Sequence, residues 1–308
     1  MSTFKILDGA MGSELIRWGM ELPEHIWSAA ANLTNPELVL KIHREYVDAG
    51  ADYITANTFR TTPRAFGKLD SLVAGFVEVY KKDAVLNSRN SLFTAVELAK
   101  EAASNSVKVL GSIASLEDCY SPELFPGKNT AITEFRQLGG WLSDAGVDIL
   151  LLETMNSIAE AEAGLIALQS FELPIWVSFV MKDDEHLLSG DLLLDALTLL
   201  QNHSINTVLL NCNPLQRTKK AMILLTKNWT GKWGIYPNLG IGEPSPNGRI
   251  TKYESMEQFT ALMEKAIDLG ASVVGACCGS TPEQISEISK IKIKSYLYPG
   301  SPIPEKGC

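Results

Sequence analysis

Three cysteines carry the chemistry that is easiest to read in this chain. Cys212 follows the apolar run Thr207–Asn211, and Cys277 and Cys278 stand side by side after the run Ser272–Ala276. Thiolates are soft donors. Three of them brought to one point favour Zn2+, with a fourth tetrahedral position left open for a ligand or substrate. Adjacent cysteines at a strand end are otherwise small buried residues or a vicinal disulfide, so ligation requires a fold that unites two distant stretches. Other candidates follow further apolar runs: Asp8-Gly9-Ala10, Asn57-Thr58, Glu153 and Tyr236-Pro237-Asn238. A carboxylate at the end of a buried strand is costly unless partnered. Glu153 therefore needs either a cationic group on a substrate or a protein donor such as Arg60. Asp8 either meets a substrate or accepts the backbone N–H groups of the Gly9–Gly12 turn. For Asn57, Thr58 and Asn238, rim contact competes with turn-making. His25, His43, His186 and His203 end no such run, and Cys119 and Cys308 lie apart from the cysteine set.

The elements that must position these residues alternate along the chain. Strand-like runs are Phe4–Asp8, Tyr53–Ala56, Val107–Ser112, Ile149–Glu153, Ile175–Val180, Thr207–Asn211, Trp233–Pro237 and Ser272–Ala276. Most are nearly continuous Val, Ile and Leu, as expected of parallel strands covered on both faces. Helix-period segments between them are Pro36–Ala49, Leu72–Ala103, Ile132–Ala145, Ser157–Gln169, Leu192–Gln201, Leu215–Asn228, Ser255–Leu269 and Pro282–Ile288. Asn35-Pro36 and Thr281-Pro282 read as helix starts, and Gly50, Gly146 and Gly270 as helix ends. The pattern predicts an α/β protein, a single-domain (β/α)8 TIM barrel over residues 1–292 with a tail at 293–308; an open doubly wound sheet is the rival. A barrel places its chemistry on the loops after the strands, and every candidate above sits there.

Composition sets the outer bounds. The chain has 308 residues, 45% hydrophobic and 20% charged, enough to bury a large core. With 27 Lys and Arg against 36 Asp and Glu, the net charge of −9 offers no basic surplus for a nucleic-acid backbone. No apolar run approaches the roughly 20 residues of a membrane span, and the N-terminus lacks the apolar region of a signal peptide. Five cysteines without short, regular spacing fit a reducing, cytoplasmic setting.

The motifs Asp8-Gly9-Ala10-Met11-Gly12, Thr55-Ala56-Asn57-Thr58-Phe59, Glu153-Thr154, Asn211-Cys212 and Gly275-Ala276-Cys277-Cys278-Gly279 give the chain a family likeness. It resembles the homocysteine S-methyltransferases, from Asp8 to about Ser280. Ala10 and Ala276 depart from the pattern, standing where some or many members have Gly. The resemblance implies a barrel with one catalytic zinc on Cys212, Cys277 and Cys278, which are then the catalytic residues. It also implies homocysteine held near Asp8, Gly9 and Glu153; Ala10, Asn57, Thr58 and Asn238 are expected as further contacts from their places after the strand-like runs. A free thiol titrates at about 8.5, so zinc would supply the thiolate and no general base is needed. At this length, without room for cobalamin or folate domains, the expected donor is a sulfonium, S-methylmethionine or S-adenosylmethionine. Alternatives are betaine as donor, a related thiol or selenol as acceptor, and a non-catalytic barrel with a redox-sensing cysteine pair.

Overall fold

The computed structural model describes residues 4–68, 83–104, 106–241 and 249–297. Eight parallel strands occupy its centre: β1 (Lys5–Ile6), β2 (Tyr53–Ala56), β3 (Lys108–Ala114), β4 (Ile149–Met155), β5 (Ile175–Phe179), β6 (Thr207–Asn211), β7 (Lys232–Tyr236) and β8 (Val273–Val274). Each pairs with its neighbour in sequence from β2 to β8, and β8 pairs back to β1. A parallel bridge from Leu7 to Tyr53, and the Asp52 N–H donating to the Ile6 carbonyl at 2.8 Å, close the ring between β1 and β2. Sequential order and closure make this the (β/α)8 barrel and exclude the doubly wound sheet.

The unbroken apolar runs divide between two cores. Side chains alternate across a strand. Leu150, Leu152, Val208 and Leu210 face outward into the main core with the helices. Leu110, Ile149, Leu151, Trp176, Leu209 and Tyr236 pack inside the barrel with Leu7 and Val273. Continuing the inward register toward the C-terminal ends brings Ser112, Glu153, Ser178 and Asn211 to the same axis. The barrel is thus apolar at depth and polar at its upper rim.

The surrounding helices are α1 (Met11–Arg17), α2 (Ala29–Thr34), α3 (Pro36–Asp48), α4 (Pro63–Gly67), α5 (Ala84–Ala103), α6 (Lys128–Ala145), α7 (Ile158–Leu168), α8 (Leu193–Asn202), α9 (Leu215–Asn228), α10 (Met256–Asp268) and α11 (Pro282–Leu297). Local chemistry accounts for several boundaries. Ser255 and Gln258 form a reciprocal capping box at the start of α10. Gly146 ends α6 in the left-handed region, its N–H donating to the Leu142 carbonyl at 3.1 Å. Asn35 precedes α3 as expected, but its side chain makes no cap bond. The helix expected to start at Leu72 is described only from Ala84, with Asp83 accepting the Leu86 N–H at 2.9 Å; its first part lies outside the described residues.

Three short helices, α1, α2 and α4, are too brief to show a period and were not expected. β3 and β4 run beyond their expected ends at Ser112 and Glu153, and β1 and β8 are shorter than the apolar runs that hold them. The last helix continues past Ile288, across position 293, to Leu297. The rest of the expected tail, with Cys308, lies outside the described residues. Among the described residues no helix is long and apolar enough to cross a membrane.

Candidate metal and substrate site

Cys212 leaves the end of β6, and Cys277 and Cys278 leave the end of β8. Although β7 separates those strands, the three Sγ atoms lie within 4.8 Å of one another. Cys277 and Cys278 are 4.0 Å apart and Cys212 and Cys277 2.6 Å. Around a zinc ion at about 2.3 Å, tetrahedral sulfurs stand about 3.8 Å apart. The set therefore suits a soft cation once the Cys212–Cys277 pair opens. The half-buried thiols share their protons unequally. Hydrogen bonds from Cys212 and then Cys277 pull Cys278 well below the usual thiol range, and the Cys277 hydrogen bond with burial pushes Cys212 up.

Backbone geometry aims the sulfurs. Cys212 has φ +53°, in the left-handed region that non-glycine residues seldom adopt. Asn238 ties the two loops together: its Nδ2 donates to the Cys212 carbonyl at 2.9 Å and its Oδ1 accepts the Cys278 N–H at 3.1 Å. Its side chain serves the backbones of the cysteines, whereas the expected role was substrate contact.

The same cleft, about 760 Å³ counted to its open mouth, is lined by Asp8, Gly9, Ala10, Trp27, Glu153 and the three cysteines, among others. Asp8 accepts the Thr55 N–H at 2.8 Å and the Thr55 hydroxyl at 3.1 Å. Burial still drives its carboxyl well above the usual range, with the Glu153 charge adding to the rise. Burial also raises Glu153, against hydrogen bonds from Ser112 and Tyr236. Neither carboxylate has a Lys, Arg or His partner among the described residues. Arg60, considered above as a partner for Glu153, instead donates to the carbonyls of Ser115 and Glu117 and stacks on Phe59, 5.3 Å from its centroid.

Close packing fixes the loop after β1. A Cβ on Gly9 would come within 2.6 Å of Ser280 Oγ and 2.7 Å of the Tyr46 ring. Ser280 Oγ accepts the Ala10 N–H at 2.9 Å, and Ser13 Oγ accepts the Gly279 N–H at 2.9 Å, so this loop is pinned to the cysteine loop.

The structure therefore brings Asp8, Gly9, Ala10, Glu153, Cys212, Cys277 and Cys278 to one cleft. Asn57 touches its edge, but its side chain is spent on Ser28 and Asn32 at 2.6–2.8 Å, fastening α2 to β2. Thr58 is buried away from the cleft, donating to the Ser112 carbonyl at 2.8 Å. Cys119 is buried outside the trio, its thiol pushed up to about 12 by burial. None of the four histidines lines the cleft. Sequence reasoning missed Ser13, Ser112 and Ser280. For Ser112 the available signal was the inward register, two residues beyond Leu110; nothing in the sequence marks Ser13 or Ser280.

The comparisons agree with this geometry. The model of the family described as homocysteine S-methyltransferase matches residues 5–291. Homocysteine S-methyltransferase YbgG of Bacillus subtilis is 28% identical, covering 92% of this chain and 93% of its own. The selenocysteine methyltransferase of Astragalus bisulcatus is 27% identical, over 93% of this chain and 91% of its own. The metallated form of the Escherichia coli homocysteine methyltransferase MmuM superposes with a TM-score of 0.76 at 26% identity, covering 94% and 96% of the two chains. With its whole barrel matched and its three thiols joined at one rim, this chain belongs to the homocysteine S-methyltransferase family.

Proposed function

We propose that this chain transfers a methyl group from a sulfonium donor, S-methylmethionine or S-adenosylmethionine, to the sulfur of homocysteine, giving methionine. We further infer that Zn2+ is its metal, held by Cys212, Cys277 and Cys278. The observation that carries the reading is the pairing of charges. Buried Asp8 and half-buried Glu153, without cationic partners among the described residues, share a cleft with three thiols, and homocysteine offers an ammonium and a sulfur at opposite ends. Zinc, when bound, would supply the Lewis acidity that lowers the pKa of the substrate thiol.

The protein's own groups then bind and orient. Glu153, held by Ser112 and Tyr236, and Asp8, held by Thr55, receive the ammonium. Trp27 lines the cleft with φ +46° and approaches Gly12 so closely that a Cβ there would meet its Nε1 at 2.5 Å. Its indole face can hold a sulfonium by cation–π attraction. Phe59 and Tyr236 line the same cleft. In the reaction the donor's S–CH3 bond breaks, a bond from methyl to the homocysteine sulfur forms, and a neutral thioether leaves. No histidine is called on for a proton.

A selenol acceptor is the second reading. It is favoured by the similarity to a selenocysteine methyltransferase and by the soft donor set. Zinc per chain, measured under reducing conditions, tests the proposal together with methionine formation. About one zinc is expected, with zinc and activity lost together in Cys277→Ser. A protein that takes up no zinc on reconstitution, or a Cys277→Ser variant with normal turnover, overturns the zinc proposal. Parallel assays with homocysteine and selenocysteine decide the acceptor.

A further inference from the structure

A hydrogen bond inside the barrel has no part in the reaction as described. Thr154 has φ +58°, a rare place for a β-branched residue. It stands where the pairing of β4 with β5 slips between Leu152 and Met155. Regular alternation, with Leu151 inward and Leu152 outward, would turn Thr154 away from the barrel axis. The slip turns it inward, as bulges beside functional sites do, and its Oγ1 accepts Asn211 Nδ2 at 2.7 Å. Both residues are fully buried. Asn211 ends β6, so the bond passes over β5 and joins strands that are not neighbours. The Thr154 N–H donates to Ser178 Oγ at 3.1 Å and its carbonyl accepts from Ser115 Oγ at 3.1 Å, which holds the kink in place.

The chain neighbours of this pair make it consequential. Glu153 precedes Thr154, and Cys212 follows Asn211. We propose that the Thr154–Asn211 hydrogen bond is a gauge: it fixes the separation between the Glu153 carboxylate and the Cys212 sulfur, and so selects the length of the amino-acid thiol that is methylated. This rests on the function proposed above, in which the ammonium is held at one end of the cleft and the sulfur at the other. Homocysteine has one methylene more between those groups than cysteine. Displacements of about 1 Å cost up to about a hundredfold in rate, so a rigid gauge rejects the shorter thiol. Strand ends free to approach one another would admit it. Thr154 and Asn211 are positioning residues, since each acts through its neighbour in the chain.

Asn211→Ala and Thr154→Gly each remove the bond. Glycine accepts the left-handed backbone without strain, so Thr154→Gly removes the hydroxyl, with the rest of the side chain, at no backbone penalty and serves where Asn211→Ala folds poorly. Thr154→Ser keeps the hydroxyl. The first readout is the ratio of kcat/KM for homocysteine to that for cysteine, with S-methylmethionine as donor and metal content measured in every variant. The ratio is expected to fall about tenfold in each single variant and no further in the double variant, to stay near the wild-type value in Thr154→Ser, and zinc is expected to stay bound. The second readout, backbone amide hydrogen exchange, needs no turnover. Removing either partner is expected to speed exchange in both segments, 153–155 and 211–213. Faster exchange confined to the mutated strand means that the ends are not coupled, and overturns the proposal. Coupled exchange with an unchanged ratio overturns the selectivity role. Wild-type protein that methylates neither thiol refutes the functional reading itself, and the selectivity role with it, while exchange still reports whether the strand ends are joined.

Discussion

Glu153→Gln is the most informative single change, because the structure gives its effects on binding and on folding opposite signs. In the free protein the half-buried Glu153 carboxylate shares the cleft with Asp8, stabilised by Ser112 and Tyr236 and opposed by desolvation and by the Cys278 charge. Glutamine keeps the shape and one acceptor for those hydroxyls but removes the buried charge, so thermal stability is expected to hold or rise. Substrate binding loses a charge-assisted hydrogen bond to the ammonium, worth about 1.5–3 kcal/mol. At about 1.4 kcal/mol per factor of ten, KM for homocysteine is expected to rise about 10- to 100-fold. Asp8 still faces the ammonium, which keeps the loss from being larger. The reacting sulfur lies at the other end of the substrate, so kcat is expected to change little. Methionine formation at saturating donor, titrated with homocysteine, measures both parameters; zinc analysis and a melting curve complete the set. A fall in kcat at unchanged KM would move Glu153 into the transfer step. Loss of zinc would make it a support of the cysteines. Either result refutes the ammonium assignment.

Two further expectations follow from groups around the site and in the core. Asn238→Ala removes both bonds that tie Cys212 to Cys278; groups that orient metal ligands typically contribute 10- to 100-fold in metal affinity, so competition with a chelator should show weaker zinc retention by about that factor, and unchanged affinity would deny the clamp. His43 is fully buried, neither ring nitrogen has a partner among the described residues, and burial pushes the imidazole down to about 4. The unfolded chain protonates at about 6.5 and the folded one does not, so the contribution of His43 is complete above about 6.5 and about 3 kcal/mol of stability is lost as pH falls to about 4. His43→Leu should flatten that limb of a denaturation profile, and an unchanged pH dependence would mean that another group titrates there.

The barrel was legible because its strands are nearly continuous apolar runs, and their order follows from the chain alone. The cysteine set was legible for the same reason, since Cys212 and the Cys277–Cys278 pair end strands that closure brings to one rim. What escaped was interaction across the chain. Asn57, Thr58 and Asn238 follow strand ends, yet their hydrogen bonds run to Ser28, Asn32 and the Ser112 and Cys212 carbonyls. A residue type names the bonds a side chain can make without naming its partner. The left-handed backbone at Thr154 and Cys212 leaves no mark either, because nothing in those residue types calls for φ near +55°. Short helices such as α1 and α4 escape because one or two turns cannot display a period.

The distribution of charge gives the site its logic. Asp8 and Glu153 are both raised by burial, and the Glu153 charge further opposes the ionisation of Asp8, while Cys278 accepts hydrogen bonds that favour its thiolate. A fold that sought only its own stability would place a lysine or arginine here, as it does around Glu117, which pairs with Arg64 and Lys68 a short way along the rim. Among the described residues the carboxylates have no cations, which costs stability in the free protein, and that cost is recoverable by groups from outside. The three groups that can recover it are positive: a metal ion for the thiolates, an ammonium for the carboxylates and a sulfonium for the aromatic wall. Raised carboxyl pKa values have the same consequence for pH. Between the ordinary carboxyl range and the raised values, the folded protein binds more protons than the unfolded chain, so acidification through that window stabilises the empty site. The same protonation weakens its hold on an ammonium. KM for homocysteine should therefore rise as pH falls through the raised values, even as the empty site becomes easier to keep folded.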